Sequence, residues 1–200
     1  MARAAPLSPA ERRTTLLIAA RSVFAERGYH QASVADILIA AGVARGTFYN
    51  HFESKREVFA AVLAELMEEI VAVVKPIDVG APIAAQVEEN LRRITRALAG
   101  VGGAARILFT DALSVDKDGE EALSAFYAFA LARVERALRR GQQLGVVRGG
   151  EVRQTARCLL GMLKEPVIQA RLAGEDLDGD ALATAIFSLL EGGVLREPEA

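Results

Sequence analysis

Cysteine, histidine and tryptophan are scarce in this chain. Its 200 residues include one cysteine, two histidines and no tryptophan. The single thiol, Cys158, excludes an intramolecular disulfide and is typical of a reducing compartment, so we expect the protein in the cytoplasm. Because His30 and His51 lie far from Cys158 in sequence, a zinc site of His and Cys ligands is implausible. We therefore predict no metal ion and no cofactor.

Long apolar runs and catalytic motifs are missing as well. No apolar run approaches about 18 residues, which excludes a transmembrane helix and a membrane partner, and the N-terminus lacks the pattern of a signal peptide. The chain contains no Gly-x-Ser-x-Gly elbow, no phosphate-binding Gly-x4-Gly-Lys loop and no His-Glu-x-x-His helix. The glycine-rich stretch at 100–103 follows a predicted helix rather than a strand, so it is interpreted as the end of that helix and not as a dinucleotide-binding motif. The sequence thus predicts that the protein is not an enzyme.

What the chain does contain is a helix-forming composition and an uneven distribution of charge. Hydrophobic residues make up 52% and charged residues 25%, and no segment alternates strictly between apolar and polar residues, so we predict an all-α fold. The net charge is −2, yet residues 1–60 contain eight Lys and Arg against five Asp and Glu. This excess predicts a basic head for an anionic partner and an acidic remainder.

Four helices are predicted in the first 76 residues. Capping boxes at Ser8 and Ser54 start the first and the fourth helix, and Ser33 starts the second. Gly28 is predicted to end the first helix, Gly42 the second, and Lys75-Pro76 the fourth. A very short third helix covers about 44–50.

The rest of the chain also predicts helices. Their approximate ranges are 82–100, 104–114, 120–140, 151–172 and 180–191, with a polar loop at 116–119 and a loose tail from Gly192. Pro166 lies inside the penultimate helix, where we expect a kink.

Two short helices around Ala41-Gly42-Val43 follow the plan of a helix-turn-helix. The run Gly28-Tyr29-His30-Gln31-Ala32-Ser33-Val34-Ala35-Asp36-Ile37, then Ala41-Gly42-Val43-Ala44-Arg45-Gly46-Thr47-Phe48-Tyr49-Asn50-His51-Phe52, then Ser54-Lys55, resembles the TetR family of bacterial transcriptional regulators. Two positions depart from the usual pattern. Leu38 stands where the family commonly has alanine, and Ala44 where it commonly has serine.

The resemblance implies an all-helical, homodimeric regulator that binds double-stranded operator DNA and responds to a small molecule. It divides the chain into a flexible arm at 1–10, a DNA-binding domain at 11–71 with its helix-turn-helix at 33–52, and an effector-binding and dimerisation domain at 72–200. We interpret the protein as a transcriptional regulator, more specifically a repressor that binds a palindrome. The alternative is a ligand-independent or architectural DNA-binding protein.

The resemblance also implies four phosphate contacts. Tyr49, His51 and Lys55 match family positions that meet phosphates, and Ser33, at a helix N-terminus, can hold a phosphate through its N–H and hydroxyl. The other interpretation of Tyr49 and His51 is packing against neighbouring helices.

Base readout is predicted for three residues of the third helix, Arg45, Thr47 and Asn50. Arginine can bind guanine, and asparagine adenine, with two hydrogen bonds each. We interpret Phe48 and Phe52 as core residues.

An effector pocket is predicted among the C-terminal helices from apolar side chains at helical spacing, although such residues can equally form the core. The candidates are Met67, Val71, Phe109, Leu113, Phe126, Tyr127, Phe129 and Met162, with Arg106 or Asp111 as further polar groups. Their character predicts a small hydrophobic or amphipathic effector.

A dimer interface of four helices, two from each chain, is predicted from the last two helices. Its candidates are Leu159, Leu163, Ile186, Leu189 and Leu190. Burial of the same side chains in the core of one chain is the alternative.

Overall fold

The computed structural model describes residues 8–100 and 117–193. These two ranges form eight α-helices and no strand, which confirms the predicted all-α fold. The helices are α1 Pro9–Gln31, α2 Val34–Ala41, α3 Arg45–Tyr49, α4 Lys55–Ala72, α5 Ile83–Gly100, α6 Lys117–Gln143, α7 Val152–Ala173 and α8 Gly179–Gly193.

Local signals in the sequence place the ends of the first helices. At the start of α1, the Ser8 hydroxyl accepts from the Glu11 N–H at 3.3 Å and the Glu11 carboxylate accepts from the Ser8 N–H at 2.7 Å, as a capping box requires. Gly28 interrupts α1 with φ of 76°, a conformation open to glycine, and one further turn leads to Gln31. The predicted stop at Gly28 is therefore a break within the helix.

One continuous hydrophobic core joins α1, α2, α3 and α4. Phe24 and Phe59 meet edge to face with ring centroids 5.2 Å apart, and the tilted rings of Tyr29 and Phe59 have centroids 4.5 Å apart. Ile37 of α2 and Phe48 of α3 are fully buried in the same cluster. This shared core makes α4 part of the head formed by the first three helices.

The later helices pack in two pairs. The α5–α8 pair is close because Gly179 lacks a side chain: a Cβ there would stand 2.9 Å from the backbone nitrogen of Arg96. The Arg96 guanidinium also forms two hydrogen bonds with the Asp180 carboxylate, at 2.7 and 3.0 Å. The long helix α6 packs on both α4 and α7, so α4 links the head to the second half of the chain.

Four expectations about the second half need comment. The helix predicted at 104–114 lies outside the described residues. Helix α6 begins at Lys117, inside the segment predicted as a polar loop, because helix ends are weakly encoded by local composition. Helix α7 continues through Pro166, and α8 reaches Gly193. Within the two described ranges, no helix is long and apolar enough to cross a membrane.

Candidate DNA-binding surface and ligand cavity

The turn between α2 and α3 is built on Gly42. Its backbone is left-handed, with φ of 64° and ψ of 32°, which glycine adopts at little cost. The Gly42 N–H donates to the Ile39 carbonyl and the Val43 N–H to the Leu38 carbonyl, both at 3.2 Å. These two bonds end α2 and turn the chain directly into α3.

Helix α3 has one buried face and one open face. Phe48 lies in the core, and Phe52, just beyond the helix, is buried beside it, as predicted. Arg45, Tyr49 and Asn50 are exposed on the opposite side. The burial of Phe48 and Phe52 therefore fixes the helix, and its outer face remains available to a partner.

The three predicted base readers, Arg45, Thr47 and Asn50, have side chains free to bind something else. Among the residues that the structure describes, none of these three side chains has a hydrogen-bond or ion-pair partner. The Arg45 guanidinium lies over the Tyr49 ring, 5.5 Å from its centroid, which groups a cation and a phenol at the start of the open face.

Gly46 gives this face a close-approach point. It is exposed, and a Cβ built on it would meet no atom within 4 Å. Glycine inside a helix costs about 1 kcal/mol relative to alanine. Because no packing within the described chain requires the missing side chain, Gly46 fits a surface that a partner's backbone must approach closely.

Ser33 is engaged by its own helix. The Ser33 N–H donates to Asp36 Oδ2 at 2.9 Å, and the Ser33 hydroxyl donates to the same oxygen at 2.7 Å. The Arg27 guanidinium forms an ion pair with the other carboxylate oxygen of Asp36, Oδ1, at 2.6 Å. The hydrogen bonds from Ser33, followed by the charge of Arg27, hold the pKa of Asp36 below its ordinary value. A phosphate contact through Ser33, which stays a prediction, would require these bonds to open. The N–H groups of Val34 and Ala35 are the donors that remain at this helix start.

Lys55 is also engaged within the chain, which the sequence pattern did not predict. Its ammonium donates to the carbonyl oxygens of Tyr29 at 2.9 Å and Ala32 at 3.2 Å. It thereby connects the first turn of α4 to the end of α1. The predicted phosphate contact would have to use the remaining N–H of the ammonium. His51, the fourth predicted phosphate contact, is half-buried beside α3.

Two adjoining cavities lie along α4, beyond the head. The larger, about 620 Å³, is enclosed by faces of α4, α5, α6 and α7, and the smaller, about 480 Å³, lies between α4 and α6. Both volumes are within the usual range for small-molecule sites. Met67, Val71 and Phe126 line both cavities, so the two spaces form one elongated region.

The predicted pocket residues divide as follows. Met67, Val71, Phe126 and Tyr127 line the larger cavity, and Phe129 lines only the smaller one. Met162 lines neither cavity among the described residues, so its contact with an effector stays a prediction. Phe109, Leu113, Arg106 and Asp111 lie outside the described residues.

The predicted dimer residues also divide. Ile186 and Leu190 are only 3% and 6% exposed in the single chain, which favours the alternative that they belong to its own core; their place at an interface stays a prediction. Leu163 lines the larger cavity instead. Leu159 is half-buried, and Leu189 is 65% exposed. Within this set, helix α8 thus offers Leu189 as the open apolar side chain.

Comparison with known proteins agrees with the geometry of the head. Residues 16–62 match the family model described as bacterial regulatory proteins, tetR family. The transcriptional activator FasR of Mycolicibacterium smegmatis is 46% identical over 65 residues, 32% of this chain and 30% of that protein. This match therefore spans about a third of FasR.

Two further proteins resemble nearly the whole chain. The transcriptional repressor Rv1474c of Mycobacterium tuberculosis is 28% identical over 192 residues, covering 94% of this chain and 95% of that protein. The crystal structure of the regulator FadR from Bacillus subtilis superposes with a TM-score of 0.78 at 24% identity, over 90% of this chain and 98% of that one, which shows a shared fold. Residues 16–62 therefore match the head of the tetR family in sequence, and the whole chain shares its all-helical fold with FadR.

Proposed function

We propose that the protein is a transcriptional repressor that binds a palindromic operator as a homodimer and releases it when a small molecule binds. The observation that carries this proposal is the open face of α3, where Arg45, Thr47 and Asn50 have no hydrogen-bond or ion-pair partner in the described chain. A short helix held by buried Phe48 can enter the major groove with these side chains at base edges.

Helix α4 supplies the connection between DNA and effector. Its first turn is held to the head by Lys55, and its middle packs in the head core through Phe59 and Val62. Its last turns line both cavities through Met67 and Val71. A molecule that prefers one position of α4 shifts the population of head positions by its differential affinity for the two states.

The homodimer would set the spacing of the two heads. We expect contact through α7 and α8, where Leu189 remains exposed in the single chain. A twofold dimer of helix-turn-helix heads reads two half-sites about one helical turn apart, roughly 34–36 Å, or a multiple of this distance.

A hydrophobic or amphipathic effector fits the apolar lining of the cavities. Two structural neighbours support a small-molecule response. FadR from Bacillus subtilis was crystallised in complex with stearoyl-CoA, and the repressor SmeT of Stenotrophomonas maltophilia was crystallised with triclosan. A regulator of this kind would act in the cytoplasm, with no enzymatic activity of its own.

The test is selection of binding sites from random DNA with the purified protein, followed by mobility shift on the selected and scrambled sites. We expect a palindromic consensus bound at least 10³-fold more tightly than scrambled DNA, as specific regulators do. Uniform affinity for any duplex would instead support an architectural protein. Light scattering on the free protein checks the dimer independently.

A further inference from the structure

The larger cavity carries positive charge on one side only. Eighteen residues line it, and Arg133 of α6 with Arg157 and Lys164 of α7 are its charged members. Tyr127 supplies a hydroxyl, and the remaining lining residues are apolar. No Asp or Glu of the described chain lines this cavity.

These three cations are not neutralised by carboxylates in the described part of the chain. Arg157 donates to the neutral amide oxygen of Gln154 at 2.8 Å, and the Lys164 ammonium lies over the Tyr127 ring, 5.4 Å from its centroid. Arg133 forms no ion pair with a described residue. The nearby carboxylate, Glu135, is buried and paired with Arg139 and Arg153 on another side of α6.

The position of the cations matters as much as their number. Arg133 and Arg157 are exposed while Lys164 is half-buried, so they stand at the open side of the cavity. Met67 and Phe126 of the apolar lining also line the second cavity, whose one charged lining residue in the described chain is Glu68. An elongated apolar space with a cationic opening is complementary to a chain that has an anionic head.

We propose that the effector is an amphiphilic anion, with an apolar chain between α4 and α6 and a carboxylate or phosphate head held by Arg133, Arg157 and Lys164. This inference rests on the proposed function of the cavity as the effector site. Arginine binds carboxylate and phosphate with two parallel hydrogen bonds, and such charge-assisted bonds are about twice as strong as neutral ones. A cationic or neutral effector would leave the three positive charges without a counter-charge.

The experiment is calorimetric titration of the full chain, without DNA, with four ligands of one chain length. These are dodecanoate, dodecyl phosphate, dodecanol and dodecyltrimethylammonium, the three ions below their micelle concentrations and the alcohol below its solubility limit. We expect an anion to bind about tenfold or more tightly than the alcohol, the ratio of one charge-assisted bond, and the ammonium to bind most weakly. The two anions distinguish a carboxylate from a phosphate head.

Single substitutions test whether the three cations hold the anionic head. Arg133→Gln, Arg157→Gln and Lys164→Gln should each weaken the preferred anion about three- to tenfold and change dodecanol binding less than twofold. Arg136→Gln is the matched control, because Arg136 is exposed on the same helix but outside the cavity. Unchanged dodecanol binding shows that a variant is still folded.

Equal affinity for alcohol and anion, preference for the ammonium, lack of binding by all four, or cavity variants that behave like Arg136→Gln would overturn the inference. Because the titration uses no DNA, its result is separate from operator selection. A protein that selects a palindrome yet fails this titration keeps its proposed role as a DNA-binding regulator and loses only the anionic effector.

Discussion

The Lys55 ammonium lies over the Tyr29 ring, 4.2 Å from its centroid, and donates to the Tyr29 carbonyl oxygen 2.9 Å away. The same ammonium reaches the Ala32 carbonyl, so one side chain satisfies two acceptors at the end of α1. Because Tyr29 also packs against Phe59 of α4, Lys55 and this aromatic contact hold α1 and α4 together from two sides.

Replacement of Lys55 by methionine tests this connection, since methionine keeps the apolar stem and removes the donors. We expect Lys55→Met to lower the free energy of unfolding by about 1–3 kcal/mol, because two part-buried carbonyls lose a partner. Chemical denaturation measures the change, with Arg56→Met as an exposed neighbour for comparison. Unaltered stability would contradict the connection. In operator binding, the slope of log affinity against log salt concentration should become flatter by about one unit if Lys55 also makes the predicted phosphate contact.

The Arg45 side chain is expected to read one base. Arg45→Ala should cost about 1–3 kcal/mol on the selected operator and relax the preference at a single position of each half-site. The same binding-site selection, repeated with the variant, checks the position. Arg136→Ala is a control on an exposed part of α6, outside the head. If the variant returned the unaltered consensus, Arg45 would not be a base reader.

Gly46 should separate stability from DNA binding. Because a Cβ meets no atom within 4 Å, Gly46→Ala is expected to stabilise the protein by about 0.5–1 kcal/mol through helix propensity. In the DNA complex the added methyl group would stand between α3 and the duplex, so operator affinity should fall. Thermal unfolding and mobility shift on one preparation measure both effects. Unimpaired operator binding would show that Gly46 does not approach the DNA.

Asp36 predicts a pH dependence of the head. Its pKa is lowered in the folded chain, chiefly by hydrogen bonds from Ser33, so the ionised form is favoured by folding. This contribution is present above the ordinary pKa of an aspartate, 3.8, and is lost as the pH falls through the folded value. Asp36→Asn should therefore flatten the loss of stability on acidification. Denaturation between about pH 2 and pH 5, the range that brackets the loss, measures it, and a variant with the same acid profile as the parent would refute it.

Leu189 should report the oligomeric state. At 65% exposure it is open in the single chain, and Leu189→Arg is expected to give monomers that keep their helix content. Light scattering measures the mass and circular dichroism the helicity. Ile186 gives the contrasting case, since its burial in the chain's own core predicts that Ile186→Arg unfolds the protein. If the Leu189→Arg variant remained a dimer, the interface would not include Leu189.

Sequence reasoning was most successful where a structure depends on neighbours along the chain. Ser8 with Glu11 and Gly42 at the α2 turn are local signals, because caps and left-handed turns involve residues only a few positions apart. The run from Gly28 to Lys55 likewise contained the helix-turn-helix and its open α3 face. Phe48 and Phe52 could be assigned to the core because residues four positions apart lie on one side of a helical turn, and both are buried.

Tertiary structure alone decided which apolar side chains lie in the core, line the cavity or remain exposed, and which groups the charged side chains contact. Periodicity places Leu163, Ile186 and Leu189 on helical faces, yet one lines the cavity, one lies in the core and one is exposed, because each outcome depends on a helix distant in sequence. The same holds for Lys55, whose acceptors lie 26 and 23 positions away. The cationic opening of the cavity likewise exists only where α6 and α7 pack side by side. The sequence by itself thus determined most helices and the match of the head to the tetR family, since caps, turns and the head motif are short-range. Contacts between remote helices decided the cavity, its charge and the surface left for a second chain.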